Sequence, residues 1–159
     1  MDQQLYLTYL ELLNDVRGSL DRLTELAREK VGVARNDNLL ALDEVLKQEQ
    51  AMSLALRGHE QKRLKLAAGL QLEQVPLADL AAHCPPDLQA QATQAALALK
   101  ESYAVYRKEA DAARQTLESH LKELDKVIEQ MGGAPVATGS GYAPPQAEPP
   151  QNMKTDFRA

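Results

Sequence analysis

Few residues in this chain have the type and spacing that chemistry demands. His83 and Cys84 are the one adjacent histidine–cysteine pair, and they stand beside Pro85 and Pro86. A zinc site would need two further ligands at characteristic spacing, and none follows. The pair therefore reads as a structural loop. His59 and His120 fall on or beside apolar helical stripes, where a packed or half-exposed imidazole is expected rather than a ligand. There is no phosphate-binding loop, dinucleotide fingerprint or nucleophile elbow. Catalysis needs convergent polar groups in a sheltered cavity, and the sequence offers no such set. No catalytic, cofactor-binding or metal-ligating residue is assigned, no cofactor is expected, and the chain is not read as an enzyme.

Glu49 and Arg63 are more informative. They lie fourteen positions apart, two heptads, and so share one helical face without touching. Either they form a solvated edge of that face, or each pairs with a residue on a neighbouring helix and fixes its register.

The elements that would carry these residues are helices. Ala, Leu, Glu, Gln, Lys and Arg dominate, there is no Trp and a single Phe, and few residues are β-branched. That composition favours helix over strand. From about Gln3 to Val33, Leu5, Tyr9, Leu12, Val16, Leu20, Leu23 and Ala27 recur at spacings of three and four, which is one apolar stripe. Asn36, Asp37 and Asn38 mark a turn and a helix cap. A second helix runs to about Gly69 with a seam of Leu42, Val45, Glu49, Met52, Leu56, His59, Arg63, Leu66 and Leu70. Between Gly69 and Pro86 the pattern breaks, and Pro76 is placed as the first residue of a short helix carrying Leu77 and Leu80. The third long helix runs from Pro86 or Asp87 to Met131, along Leu99, Tyr103, Tyr106, Ala110, Ala113, Leu117, His120 or Leu121, Leu124, Ile128 and Met131. Gly132 and Gly133 end it. The expected fold is all-α: an antiparallel three-helix bundle with coiled-coil-like packing over residues 1–131. Residues 132–159, rich in Pro and Gly, are expected to form a disordered tail.

The stripe from Leu117 to Met131 (Leu117, Leu121, Leu124, Ile128, Met131) has two readings. It is bundle core, or it runs past the shorter helices and exposes apolar surface to a partner helix.

Net charge limits the partners. At −5 the chain has no basic excess to hold phosphates, which argues against nucleic acid. One cysteine cannot form an internal disulfide, and no apolar run approaches the roughly 20 residues needed to cross a bilayer. A cytoplasmic protein that binds other proteins is expected.

The middle of the chain then resembles a known family. The run from Asn36 through Leu39-Leu40-Ala41-Leu42-Asp43 to Lys47-Gln48-Glu49-Gln50 is similar to the Leu-rich helix of the FlgN-type flagellar export chaperones. Leu54, Leu56, Glu60 and Arg63 resemble its Leu-x-Leu, Glu-x-x-Arg continuation. Gly69-Leu70 resembles its stop, and Pro76-Leu77-Ala78-Asp79-Leu80 its short connecting helix. Met153-Lys154-Thr155-Asp156-Phe157-Arg158-Ala159 is similar to the terminal motif of some members. Many members carry Asn in the last long helix, whereas Glu109 to Glu118 has none. The resemblance implies a bodyguard of hook–filament junction (hook-associated) proteins that prevents premature assembly and delivers its clients to the export gate. It implies that Tyr142, the one tyrosine after Gly132, helps engage the gate's cytosolic domain. Phe157 is the tail's candidate anchor. The alternative is a coiled-coil structural adaptor or assembly subunit with no export role.

Overall fold

The structure, a computed structural model, describes residues 2–132. Among them it is all-helical, with no strand. Helix α1 spans Asp2–Arg35 and α2 spans Leu39–Gly69. A 3-10 turn at Leu77–Asp79 leads into the single turn of α3, Leu80–His83. A second 3-10 turn, Pro86–Leu88, opens into α4, Gln89–Gln130.

The boundaries differ from expectation where prolines intervene. Pro76 stands just ahead of the first 3-10 turn rather than inside it, in extended conformation, and its carbonyl accepts from the Asp79 amide at 2.9 Å. The third long helix begins two or three residues late because Pro86 to Leu88 adopt the tighter turn first, with the Leu88 amide bonded to the Pro85 carbonyl at 2.9 Å.

The helix ends follow one pattern. After α1, the Asn38 amide reaches the Val33 carbonyl and the Asp37 amide reaches that of Ala34, with Asp37 left-handed at φ 52°. The same double bond closes α2: Leu72 to Ala67 and Gln71 to Ala68, with Gln71 at φ 58°. This is the Schellman arrangement, completed by an apolar contact across the end. Leu72 and Ala67, both buried, occupy the two positions between which that contact forms. The expected stop at Gly69-Leu70 coincides with the last helical residue and its cap, and the left-handed residue is the next one, Gln71. At the far end of α4, Gly132 takes that role at φ 79°, as expected. Asn38 then caps α2, its side chain accepting from the Ala41 amide at 3.2 Å.

Pairs between helices set their directions. Lys30 meets Glu49 at 2.7 Å and Tyr9 meets Arg63 at 3.2 Å, so α2 runs antiparallel to α1. Arg28 meets Glu109 at 3.5 Å and Asp37 meets His120 at 3.0 Å, so α4 runs parallel to α1. Helix α1 packs against both α2 and α4, which scarcely pack on each other. A spine between two flanking helices must be apolar over a wide arc. The single stripe read on α1 is therefore too narrow: Leu10, Leu13 and Leu26 are as deeply buried as Val16 and Leu20, whereas Leu5, near the helix start, is partly exposed. Leu72, Leu80, Cys84 and Leu88 extend the core under the connector.

Both charged positions of the α2 seam have partners on α1. Glu49 pairs with Lys30. Arg63 donates from Nη1 to the Tyr9 hydroxyl, but its main partner is on its own helix. Its Nε and Nη2 donate to the two carboxylate oxygens of Glu60 at 2.8 and 3.0 Å, with both residues buried. Burial works to lower the guanidinium's pKa. The hydrogen bond and charge of Glu60, with Tyr9 adding to them, outweigh it and leave the pKa above its ordinary value, so Arg63 stays charged.

Two predictions follow from this packing. Arg63→Ala leaves a buried, unpaired Glu60 and is expected to destabilise the chain by roughly 3–5 kcal/mol, whereas Glu60→Leu with Arg63→Met together is expected to be neutral or stabilising. Urea unfolding followed by circular dichroism checks both, and a double variant as unstable as the single would contradict the account. Cys84 is buried and its thiol pKa is pushed up by that burial, which disfavours the reactive thiolate. Iodoacetamide labelling is expected to be slow until denaturant unfolds the chain; rapid labelling of the folded protein would contradict it.

Candidate functional site

The contact between His120 Nε2 and Asp37 Oδ1, at 3.0 Å, fixes a level. Asp37 lies in the turn that ends α1 and begins α2, so position 120 of α4 stands beside the rim where both other long helices stop. The residues of α4 after His120 run past that rim. Ten residues at 1.5 Å each carry it about 15 Å further.

The face that α4 turns toward α1 carries Ala92, Ala95, Leu99 and Ala113, all buried. At 100° per residue, Leu121, Leu124 and Ile128 fall within about 40° of Leu99 around the helix. The same apolar face continues beyond the rim, where α1 no longer covers it. Leu117, just below the rim, is half-buried, as is Ile128. Leu121 is 51% exposed, Leu124 44%, and Met131 81%. Single exposed leucines are ordinary on protein surfaces, but a continuous apolar stripe is not.

Five of the seven residues assigned from the sequence, Leu117, Leu121, Leu124, Ile128 and Met131, are thus together on one helix face. Tyr142 and Phe157 lie outside the described residues. Val127, 50% exposed, borders the stripe and was missed; it stands one position from Ile128, off the strict three-and-four spacing. Leu39 and Leu40, in the first turn of α2 at the same rim, belong to the run that resembles the family's Leu-rich helix and carry no site assignment from the sequence. Both are exposed.

Among the described residues the remaining polar features do not converge on a sheltered site. A shallow groove of about 470 Å³ lies between Ala34 and Arg35 of α1 and the stretch Ala112 to Glu123 of α4. It opens to solvent and brings together one imidazole, His120, and one carboxylate, Glu123, which is not the sheltered set that acid–base catalysis requires. His83 is exposed and Cys84 buried, so the two do not present side by side. Among the described residues no three His, Cys, Asp or Glu side chains gather as they would around a metal. No helix among them is long and apolar enough to cross a membrane.

No curated protein and no solved structure matches the chain. A family model does, described as FlgN protein and matching residues 1–150. That span takes in all of α1 to α4, including the part of α4 beyond the rim. An all-helical body among the described residues, bearing an uncovered apolar face at one end, agrees with a family of chaperones for flagellum assembly, and on that match the chain belongs to the FlgN family.

Proposed function

We propose that this chain is a cytoplasmic chaperone of flagellar type III export that holds hook–filament junction proteins on the overhanging end of α4. The observation that carries this reading is the core face of α4 continuing uncovered past the rim, through Leu121, Leu124, Ile128 and Met131. An amphipathic client segment could fold against that stripe and bury its own apolar side chains, as helix-in-groove recognition does. Ordering the client on binding costs free energy, which keeps the complex weak enough to release its cargo. Residues 1–131 are the client-holding body in this account, and residues 132–159 a separate segment that reaches the cytosolic domain of the export gate. Binding, shielding and delivery need no catalytic group, so the chain is not an enzyme.

Two experiments test the two halves of this proposal. Fully burying a Leu or Ile contributes roughly 1.5–3 kcal/mol. Leu121→Gln with Ile128→Gln is therefore expected to weaken binding to a purified hook–filament junction protein by at least about tenfold, with the melting temperature nearly unchanged. Retained affinity would remove the stripe from the client site, and a large fall in melting temperature would return it to the core. For the second half, Tyr142→Ala is expected to weaken binding to the gate's cytosolic domain without altering helicity. Unchanged gate binding would remove Tyr142 from the site.

A further inference from the structure

The uncovered stripe of α4 is edged by negative charge on one flank. At 100° per residue, Leu117, Leu121, Leu124, Ile128 and Met131 lie within about 40° of one direction. Glu118, Asp125 and Glu129 fall about 80–120° round from it on the same side, whereas Lys122 and Lys126 fall farther round, on the back of the helix. An occupant of this face therefore meets apolar side chains with carboxylates along one edge.

The sequence itself contains a segment of matching chemistry. After Lys126 it has two cations, Lys154 and Arg158, and each directly follows a large apolar residue, Met153 and Phe157. The segment lies beyond residues 1–150, which match the family. Wound as a helix, it would place Met153 and Phe157 within about 40° of each other, with Lys154 and Arg158 about 100–140° round from Met153. Both charged edges are displaced from their apolar faces in the same rotational sense. Two right-handed helices laid face to face bring such edges together only when they run antiparallel. That is also the direction of a chain turning back from the end of α4. Residues 133–152 reach at most about 70 Å, against about 21 Å from Leu117 to Met131, so length does not prevent the return.

We propose that the segment from Met153 to Arg158 docks on the uncovered stripe of its own α4, antiparallel to it, and covers that face when no client is bound. Met153 and Phe157 rest against Leu124, Ile128 and Met131, and Lys154 and Arg158 lie along the edge of Asp125 and Glu129. The tether favours the chain's own segment over that of a second copy, because it holds the segment at an effective concentration on the order of 1 mM. Two apolar side chains support only a weak contact, with a dissociation constant of roughly 0.5 mM. The segment is then docked about two-thirds of the time, and a client displaces it. That last step rests on the chaperone reading above, whereas the covering of the stripe does not.

The test uses the full chain with Met153→Gln and Phe157→Gln together. Amide exchange over residues 117–131 of the free protein is expected to become about threefold faster than in the unsubstituted chain, a small change beside the protection a bound client gives. Affinity for a purified hook–filament junction protein, measured by calorimetry, is expected to rise about threefold. Lys154→Glu with Arg158→Glu is expected to act in the same direction, through repulsion from the acidic edge. Unchanged exchange in both variants overturns the proposal, whatever the client does. Faster exchange with unchanged client affinity upholds the docked segment and moves the client off the stripe, so that the client site above fails alone. Protection of residues 117–131 that grows with protein concentration would put a second copy on the stripe and overturn the proposal.

Discussion

The double covering of α1 governs the rest of the molecule. Val16, Leu20, Leu10 and Leu13 leave water only because α2 lies on one side of α1 and α4 on the other. With α2 antiparallel and α4 parallel, the chain returns to the base of α1 before the last helix begins. The connector through Leu72, Leu80, Cys84 and Leu88 closes that base and sets where α4 starts. Helix α1 has 34 residues and α4 has 42. Two parallel helices that start near the same level and differ in length must end at different levels. The uncovered apolar end is a consequence of that difference, and it needs no special geometry beyond the core face of α4 being written past the rim.

The polar part of the core works against simple burial. Glu60 and Arg63 are three residues apart on one helix, so much of their mutual attraction exists whether or not α2 is docked. Docking removes them from water and adds the Tyr9 hydroxyl as a partner on α1. A pair of that kind adds little net stability and instead disfavours other alignments of α2 on α1, because any slip would bury the charges away from Tyr9. Lys30 with Glu49 adds a second fixed point nearer the rim. Between them, the two contacts hold the α1–α2 turn at the height where Asp37 meets His120, and so set where α4 emerges.

Much of this was legible in the residues. The spacing of three and four gave the long helices. The Asn-Asp-Asn run marked the turn at Asp37, and Gly132 the end of α4. The stripe from Leu117 to Met131 was legible as apolar, but whether anything covers it depends on the relative level of three helix ends, which no local pattern carries. The second arc of α1, through Leu10, Leu13 and Leu26, was missed because one seam was assumed where the helix has two neighbours. Nothing in the type of Gln71 signals its left-handed backbone. That position is set by the helix-closing hydrogen bonds around it and by the burial of Leu72. For Arg63 the sequence left a solvated edge and a register-fixing pair both open, and although Glu-x-x-Arg spacing was visible, burial of both members on the inner face could be seen only in the fold.

The most direct measurement of the central claim is backbone amide hydrogen exchange on the full chain, alone and with a hook–filament junction protein bound. If the end of α4 is the client's seat, residues 117–131 exchange quickly in the free protein and slow markedly in the complex, while the middle of α1 changes little. Protection that appears elsewhere, with 117–131 exchanging as fast in the complex as in the free chain, would contradict it.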